Sequence, residues 1–271
     1  MAKKILLLFA LMAFLICLNH KVSLQTPHYL GPEDQISTDN LMEKQIFDVI
    51  KAINDKNKKL KNLYVPSISI RVKHQMTFGA TGRIYFEKEK LYKMTVRSIF
   101  GQEMDIGSND THFWFWSKRM NPPDLFYARH EDLDRAMLKT PLNPSWMIES
   151  LTLSEIPIKD VEVGEFKGNW IIKQKRKAAR GEDVVVATLI AKDNPRVLGN
   201  YLYNSQGKMI ASTEISNHYE IQNVLVPKTM FITWHEEGLT MEWRLNSPQI
   251  NVNISKSVWD LPSHLRKIEL R

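Results

Sequence analysis

The chain has 271 residues, 43% hydrophobic and 10% aromatic, with 37 Lys and Arg against 30 Asp and Glu. That much apolar material suits one large domain or two small ones. The formal charge of +7 raises nucleic acid as a partner, but Lys3, Lys4 and Lys21 lie in the first 25 residues without any acid. A chain lacking them carries +4, a mild excess that argues against that class and leaves weak attraction to anionic lipid headgroups.

Residues 1–25 read as a signal peptide or N-terminal anchor. Lys3 and Lys4 precede an unbroken apolar run, Ile5 to Leu18, and polar Asn19 to Lys21 follow. A run of about 14 residues fits an export signal better than a spanning helix, which needs roughly 20. The expected location is therefore the periplasm, either soluble or anchored to a membrane and facing it. Cys17 is the single cysteine, so the chain forms no intramolecular disulfide, and its core must hold without one. Its position at the end of the run resembles a bacterial lipobox and makes Cys17 a candidate lipidation site. Ile16 stands where such boxes carry a small residue, which favours cleavage beyond Cys17, near Ser23 or Gln25.

A polar linker, 26–39, leads into a helix. Asn40 with Glu43 three residues later makes a capping-box-like start. Met42, Ile46, Val49, Ile50 and Ile53 then share one face, and the stripe ends in the lysine-rich stretch Lys56 to Lys61.

From Pro66 the apolar period becomes two. Ile68, Ile70 and Val72 share a face, as do Ile84 and Phe86, then Tyr92, Met94 and Val96, then Met104 and Ile106. Short turn signals, among them Phe78 to Gly82 and Ile99 to Gln102, separate them, which predicts successive antiparallel hairpins with one wet and one greasy face. Phe113 to Trp116 breaks the pattern, being aromatic on both faces. The stretch 131–151 reads as two short helices broken at Pro141, and seven further alternating segments follow up to Asn246. With no Pro/Gly-rich linker between the halves, residues 40–271 read as a single α+β domain. Its centre is a large, strongly curved antiparallel sheet of about a dozen strands with helices on one side.

No catalytic constellation is written into the chain. His235 opens a stretch resembling a zincin helix, but Leu239 stands where the second histidine is needed. No glycine-rich phosphate cradle or nucleophile elbow occurs, and Glu131 with Asp132 and Glu182 with Asp183 read as solvated surface. The expectation is a protein that is not an enzyme, with no metal and no cofactor.

The stretches Gly82 to Val96 and Phe100 to Trp116, with Gly101, Ser108, Asn109 and Trp114 at matching hairpin positions, resemble the outer-membrane lipoprotein carrier and receptor superfamily, the Lol carrier and Lol receptor. Asp110 replaces the family's usual glycine. Pro141 to Leu151 is similar to the family's helical insertion, and Ile250 to Leu265, with Trp259 before Pro262, to its closing stretch. The resemblance covers about Asn40 to Leu270. It implies an unclosed β half-barrel of about eleven strands, with helices as a lid on the concave side over an apolar cavity for acyl chains. The role it implies is lipoprotein sorting or transport to the outer membrane.

On that reading Ile70, Ile84, Phe86, Met94, Val96, Trp114 and Trp116 line a lipid cavity. Met42, Ile46 and Ile50, with Trp146 and Met147 of the insertion, form its lid. The partners are acyl chains of a lipid or lipoprotein, with a membrane surface as a second partner and no nucleic acid. The alternative is an envelope interaction or stress-sensor protein that binds an unknown protein partner through exposed aromatics such as Tyr127 or Trp259.

Overall fold

The alternation beginning near Pro66 folds into a single sheet. The computed structural model describes residues 40–73, 77–87, 91–132, 149–177, 182–236 and 238–270. A first run contains β1 (Asn62–Lys73), β2 (Thr77–Glu87), β3 (Leu91–Ser98), β4 (Gly101–Ser108), β5 (His112–Ser117) and β6 (Leu125–Arg129). A second contains β7 (Val161–Phe166), β8 (Asn169–Lys177), β9 (Asp183–Ile190), β10 (Val197–Asn204), β11 (Met209–Ile221), β12 (Val224–Trp234) and β13 (Leu239–Asn246). Neighbours within each run pair as antiparallel hairpins, and β1 against β13 joins the two runs.

Two short strands complete a sheet of fifteen. β14 (Gln249–Ile250) pairs with the start of β1, and β15 (Lys267–Glu269) lies parallel to β6. The path ends at β15 on one side and β7 on the other, so the sheet is open. The expected count of about eleven strands is too low. β14 and β15 are two and three residues long, too short for any period to mark them.

A second correction concerns Phe78 to Gly82, expected as a turn but lying inside β2. Gly82 belongs there because its neighbour occupies the space of its missing side chain: a Cβ on Gly82 would sit 2.9 Å from Ile68 Cδ1. A glycine inside a strand commonly marks such a close approach.

One rung fixes the faces. Val163, Ile172, Thr188, Asn200, Thr213, Ile232, Met241 and Val72 are successive partners from β7 through β13 to β1. We call this side the inner face. Helix α1 (Asn40–Asn57) packs on it, joined in one buried cluster with β7, β8, β9 and β10. Among the described residues α1 is the only α-helix longer than one turn, where helices in the plural were expected. The insertion is described only at its ends, as a 3-10 turn (His130–Asp132) and from Glu149 onward. Cys17, Trp146 and Met147 lie outside the described residues.

Candidate functional site

The inner face divides into two apolar regions. In the first, Ile46 and Ile50 of α1 are fully buried and Ile53 nearly so. They pack against Val163, Ile172, Ile190 and Val197, with Met42 and Val49 at the margin. The stripe read from the sequence is therefore the buried one. It closes over β7–β10, however, and not over the strands of the first run, so Met42, Ile46 and Ile50 are separated from the wall they were expected to cover. The helix is locked in place by Asn54. Its side-chain amide donates to the carbonyl of Ile156 at 2.9 Å and accepts from the Ile156 N–H at 2.8 Å. Asn57 donates to the Ser154 carbonyl in the same segment.

A polar seam borders this region at the middle of the rung. Thr188 donates to Asn200 Oδ1 at 2.9 Å, Asn200 Nδ2 donates to the Glu149 carbonyl at 2.9 Å, and Thr213 donates to Ser150 Oγ at 3.0 Å. Arg176 grips the Glu149 carboxylate with two bonds, at 2.8 and 2.7 Å. Buried polar groups are tolerated where they are fully bonded. Here they pin the chain after the insertion, so that Leu151 and Leu153 reach into the second apolar region.

That second region is larger. It draws on β1–β5 and β11–β13, and five of its buried members are methionines: Met94, Met104, Met120, Met230 and Met241. Of the seven expected wall residues, Ile70, Ile84, Phe86, Met94 and Val96 stand together here. The sequence reading lacks the adjoining part of this wall, Met230, Ile232 and Trp234 on β12 with Met241 and Trp243 on β13. Their period-two spacing was visible, but nothing in the sequence says which strands close against which. The region also holds buried donors without acceptors: the indole N–H groups of Trp234 and Trp243 and the Tyr92 hydroxyl.

Trp114 and Trp116 do not share this face. Met94 aligns with Ile106 and, through it, with Phe115. Trp114 aligns with Gly107, and Gly107 with Lys93, on the outer face. Its ring occupies the space over Gly107, where a Cβ would lie 2.1 Å from ring carbon Cζ2. Its N–H donates to Asp105 Oδ1 at 2.8 Å. Lys93 lies 3.9 Å from the other oxygen of that carboxylate. Burial nonetheless pushes the Asp105 carboxyl up, outweighing Lys93 and the Trp114 bond. A stretch aromatic on both faces carries no phase of its own, which is why parity failed there.

The outer face of the first run is strapped by the closing stretch. Asn109 donates to the Trp259 carbonyl, Trp259 stands edge-on to Tyr85, and Arg266 forks onto Asp124 at 2.7 and 2.5 Å. Trp259 is thereby buried, not exposed as the partner-binding alternative requires, and Tyr127 is half-buried beside His112.

The turn between β3 and β4 points two large apolar residues outward, Ile99 at 93% and Phe100 at 69% exposure. It is a built turn. The Phe100 N–H donates to Ser98 Oγ, Lys118 Nζ donates to the Phe100 carbonyl, and Gly101 takes φ +100°. Arg97, Lys118 and Arg119 are exposed around it.

No protein-family model matches the chain, and no curated protein matches it in sequence. Solved structures do match in fold. A Vibrio parahaemolyticus domain designated an outer membrane lipoprotein-sorting protein domain is 11% identical, with a TM-score of 0.55 over 78% of this chain and 95% of its own. A DUF1329 family protein from Desulfovibrio piger is also 11% identical, with a TM-score of 0.55 over 80% of this chain and 96% of its own. A LolA superfamily protein from Nitrosomonas europaea is 8% identical, with a TM-score of 0.53 over 79% and 97%. The chain resembles the Lol carrier superfamily in its fold.

Proposed function

We propose that this is a non-catalytic protein of the cell envelope that binds the acyl chains of a lipid or lipoprotein within the second apolar region. The observation that carries the reading is the composition of that region. The strip of strands from β11 through β13 and β1 to β5 gathers five buried methionines into one cluster, side chains that repack around varied apolar shapes. Burial supplies about 0.8 kcal/mol per methylene, so part of one chain already gives useful affinity. The likeness to lipoprotein-sorting folds and the export signal read at the N-terminus support the same role, in the periplasm or anchored facing it. Ile99 and Phe100, flanked by exposed Arg97 and Lys118 while Arg119 is paired with Glu103, support contact with an anionic membrane surface during loading or release. The partner-protein alternative has lost Trp259, one of its two proposed contacts.

A charge in the wall tests the reading. Met94→Glu places a carboxylate among apolar neighbours, at a cost of several kcal/mol relative to methionine. Arg83→Glu, exposed on β2 beside Ile84, changes charge without entering the wall. Uptake of a fluorescent fatty-acyl probe should vanish in the first variant and persist in the second, with melting curves showing both folded. Uptake equal to wild type in a folded Met94→Glu protein sinks the reading. For the membrane contact, Ile99→Ser with Phe100→Ser should weaken binding to vesicles containing phosphatidylglycerol by about tenfold or more, from the apolar area lost. Unchanged vesicle binding removes this turn from the account.

A further inference from the structure

The second region contains a polar feature that a container for hydrocarbon does not need. Trp234 and Trp243 are each 1% exposed, and their indole N–H groups meet no acceptor. Phenylalanine would fill such positions without stranding a donor. Tyr92 is a third such group, also 1% exposed, but it lies three strands from β13, and its hydroxyl can accept as well as donate. The two indoles are more diagnostic, because tryptophan only donates.

Their surroundings narrow what the N–H groups can meet. Trp243 is flanked in the ladder by Ile70 and Met230, and Trp234 by Ala211 and Leu239. None of these side chains bears an oxygen or nitrogen, and the Met230 thioether is only a weak acceptor. A water molecule there would lack the two to four polar partners that hold a buried water. Among the described residues no Lys, Arg or His is buried, so a carboxylate or phosphate held there would be buried without a counter-charge, which is strongly disfavoured. The remaining chemistry is a neutral acceptor carried in on an apolar chain.

We propose that Trp234 and Trp243 donate to the carbonyl oxygens of a neutral acyl ester, making this region selective for diacylglycerol-type lipid over free fatty acid or plain hydrocarbon. The inference rests on the acyl-chain reading above and names its ligand class. Trp234 pairs with Leu239, four residues before Trp243 on β13. The two positions are therefore about 14 Å apart at ordinary strand rise and spacing, so the two rings must converge from their strands to reach the neighbouring carbonyls of one diester.

The test compares 1,2-dioleoylglycerol with the matched dioleyl ether of glycerol, which has the same chains and no carbonyls, as competitors for a fluorescent acyl probe. The ester should bind more tightly than the ether by about fivefold for each indole engaged, the size of one neutral hydrogen bond. Trp243→Phe and Trp234→Phe should each lose about fivefold for the ester and nothing for the ether. In the wild-type chain the indole N–H resonances of these two tryptophans should move downfield with ester and stay with ether, a readout that needs no variant. Equal binding of ester and ether, with both resonances unmoved, overturns the donor assignment and leaves the acyl-chain reading intact. Failure of both lipids to compete, together with no uptake of the probe itself, overturns both.

Discussion

Beneath α1 the strands β7–β10 meet a partner with a matching stripe, fastened by an asparagine that satisfies both backbone groups of Ile156. Across the polar seam, β1–β5 and β11–β13 meet mostly one another, through methionines and through indoles that strand their N–H groups. The first region uses branched aliphatics and closed hydrogen bonds, the ingredients of a core with a single arrangement. The second uses adaptable side chains and leaves donors unanswered. One sheet thus carries a closed core of branched aliphatics and a methionine-rich one, the region proposed to receive the ligand, with Thr188, Asn200 and Thr213 between them.

The contrast is tested most severely at Ile50, fully buried under the helix. Ile50→Glu should cost about 4 kcal/mol or more by stranding a charge in the rigid region, read as a collapsed urea midpoint. A midpoint near wild type would mean that α1 does not close that half. Asn54→Ala should cost about 2–4 kcal/mol, since it orphans a buried N–H and a buried carbonyl together. Asn54→Asp keeps the acceptor but sets a buried carboxylate oxygen against the Ile156 carbonyl, and should cost at least as much at neutral pH.

On the other side of the seam, Met94→Leu with Met230→Leu should cost below about 1.5 kcal/mol per site, because volume is conserved. The range of chain lengths accepted should nevertheless narrow. A stability loss as large as that of Asn54→Ala would place this region in the rigid class after all.

The smallest effect lies outside both regions, at Asp105. Its carboxyl is raised in the folded chain by burial, so the fold holds the proton more tightly than the unfolded chain does. Stability should therefore fall as pH rises from the ordinary carboxylate range through the raised value, and then level off. Asp105→Asn still accepts from Trp114 and should lack that fall. Denaturant midpoints between pH 3 and 7 check the sign.

Much of this is legible in the sequence. Asn40, Glu43 and the isoleucine stripe wrote α1 and its buried face, and alternation wrote β1–β4 with the correct parity at Ile70, Ile84, Phe86, Met94 and Val96. Where two faces carry the same chemistry, alternation has no phase, and Trp114 and Trp116 were assigned to the wrong side. The side chain over Gly107 is a ring from the next strand, a relation that only pairing reveals. The polar seam was hidden for a related reason. Thr188, Asn200 and Thr213 look solvent-facing in sequence, and only their contacts with Glu149 and Ser150 make them interior. Which element α1 covers, and which strands oppose each other across the inner face, depend on long-range closure that local spacing does not encode.

The parallel pairing of β15 with β6 has a bearing on how the molecule behaves in company. An open sheet offers two rims at which a second chain can continue the ladder, and exposed rims invite self-association. Here one rim is a strand of only three residues, and the other, β7, carries Glu162 and Glu165, engaged by Lys175 and Lys192. Detaching Lys267–Glu269 would uncover the backbone of Leu125, Phe126 and Tyr127, its partners in the ladder, and give the sheet an adhesive border. Removing the closing segment should therefore raise the tendency of the chain to self-associate at high concentration.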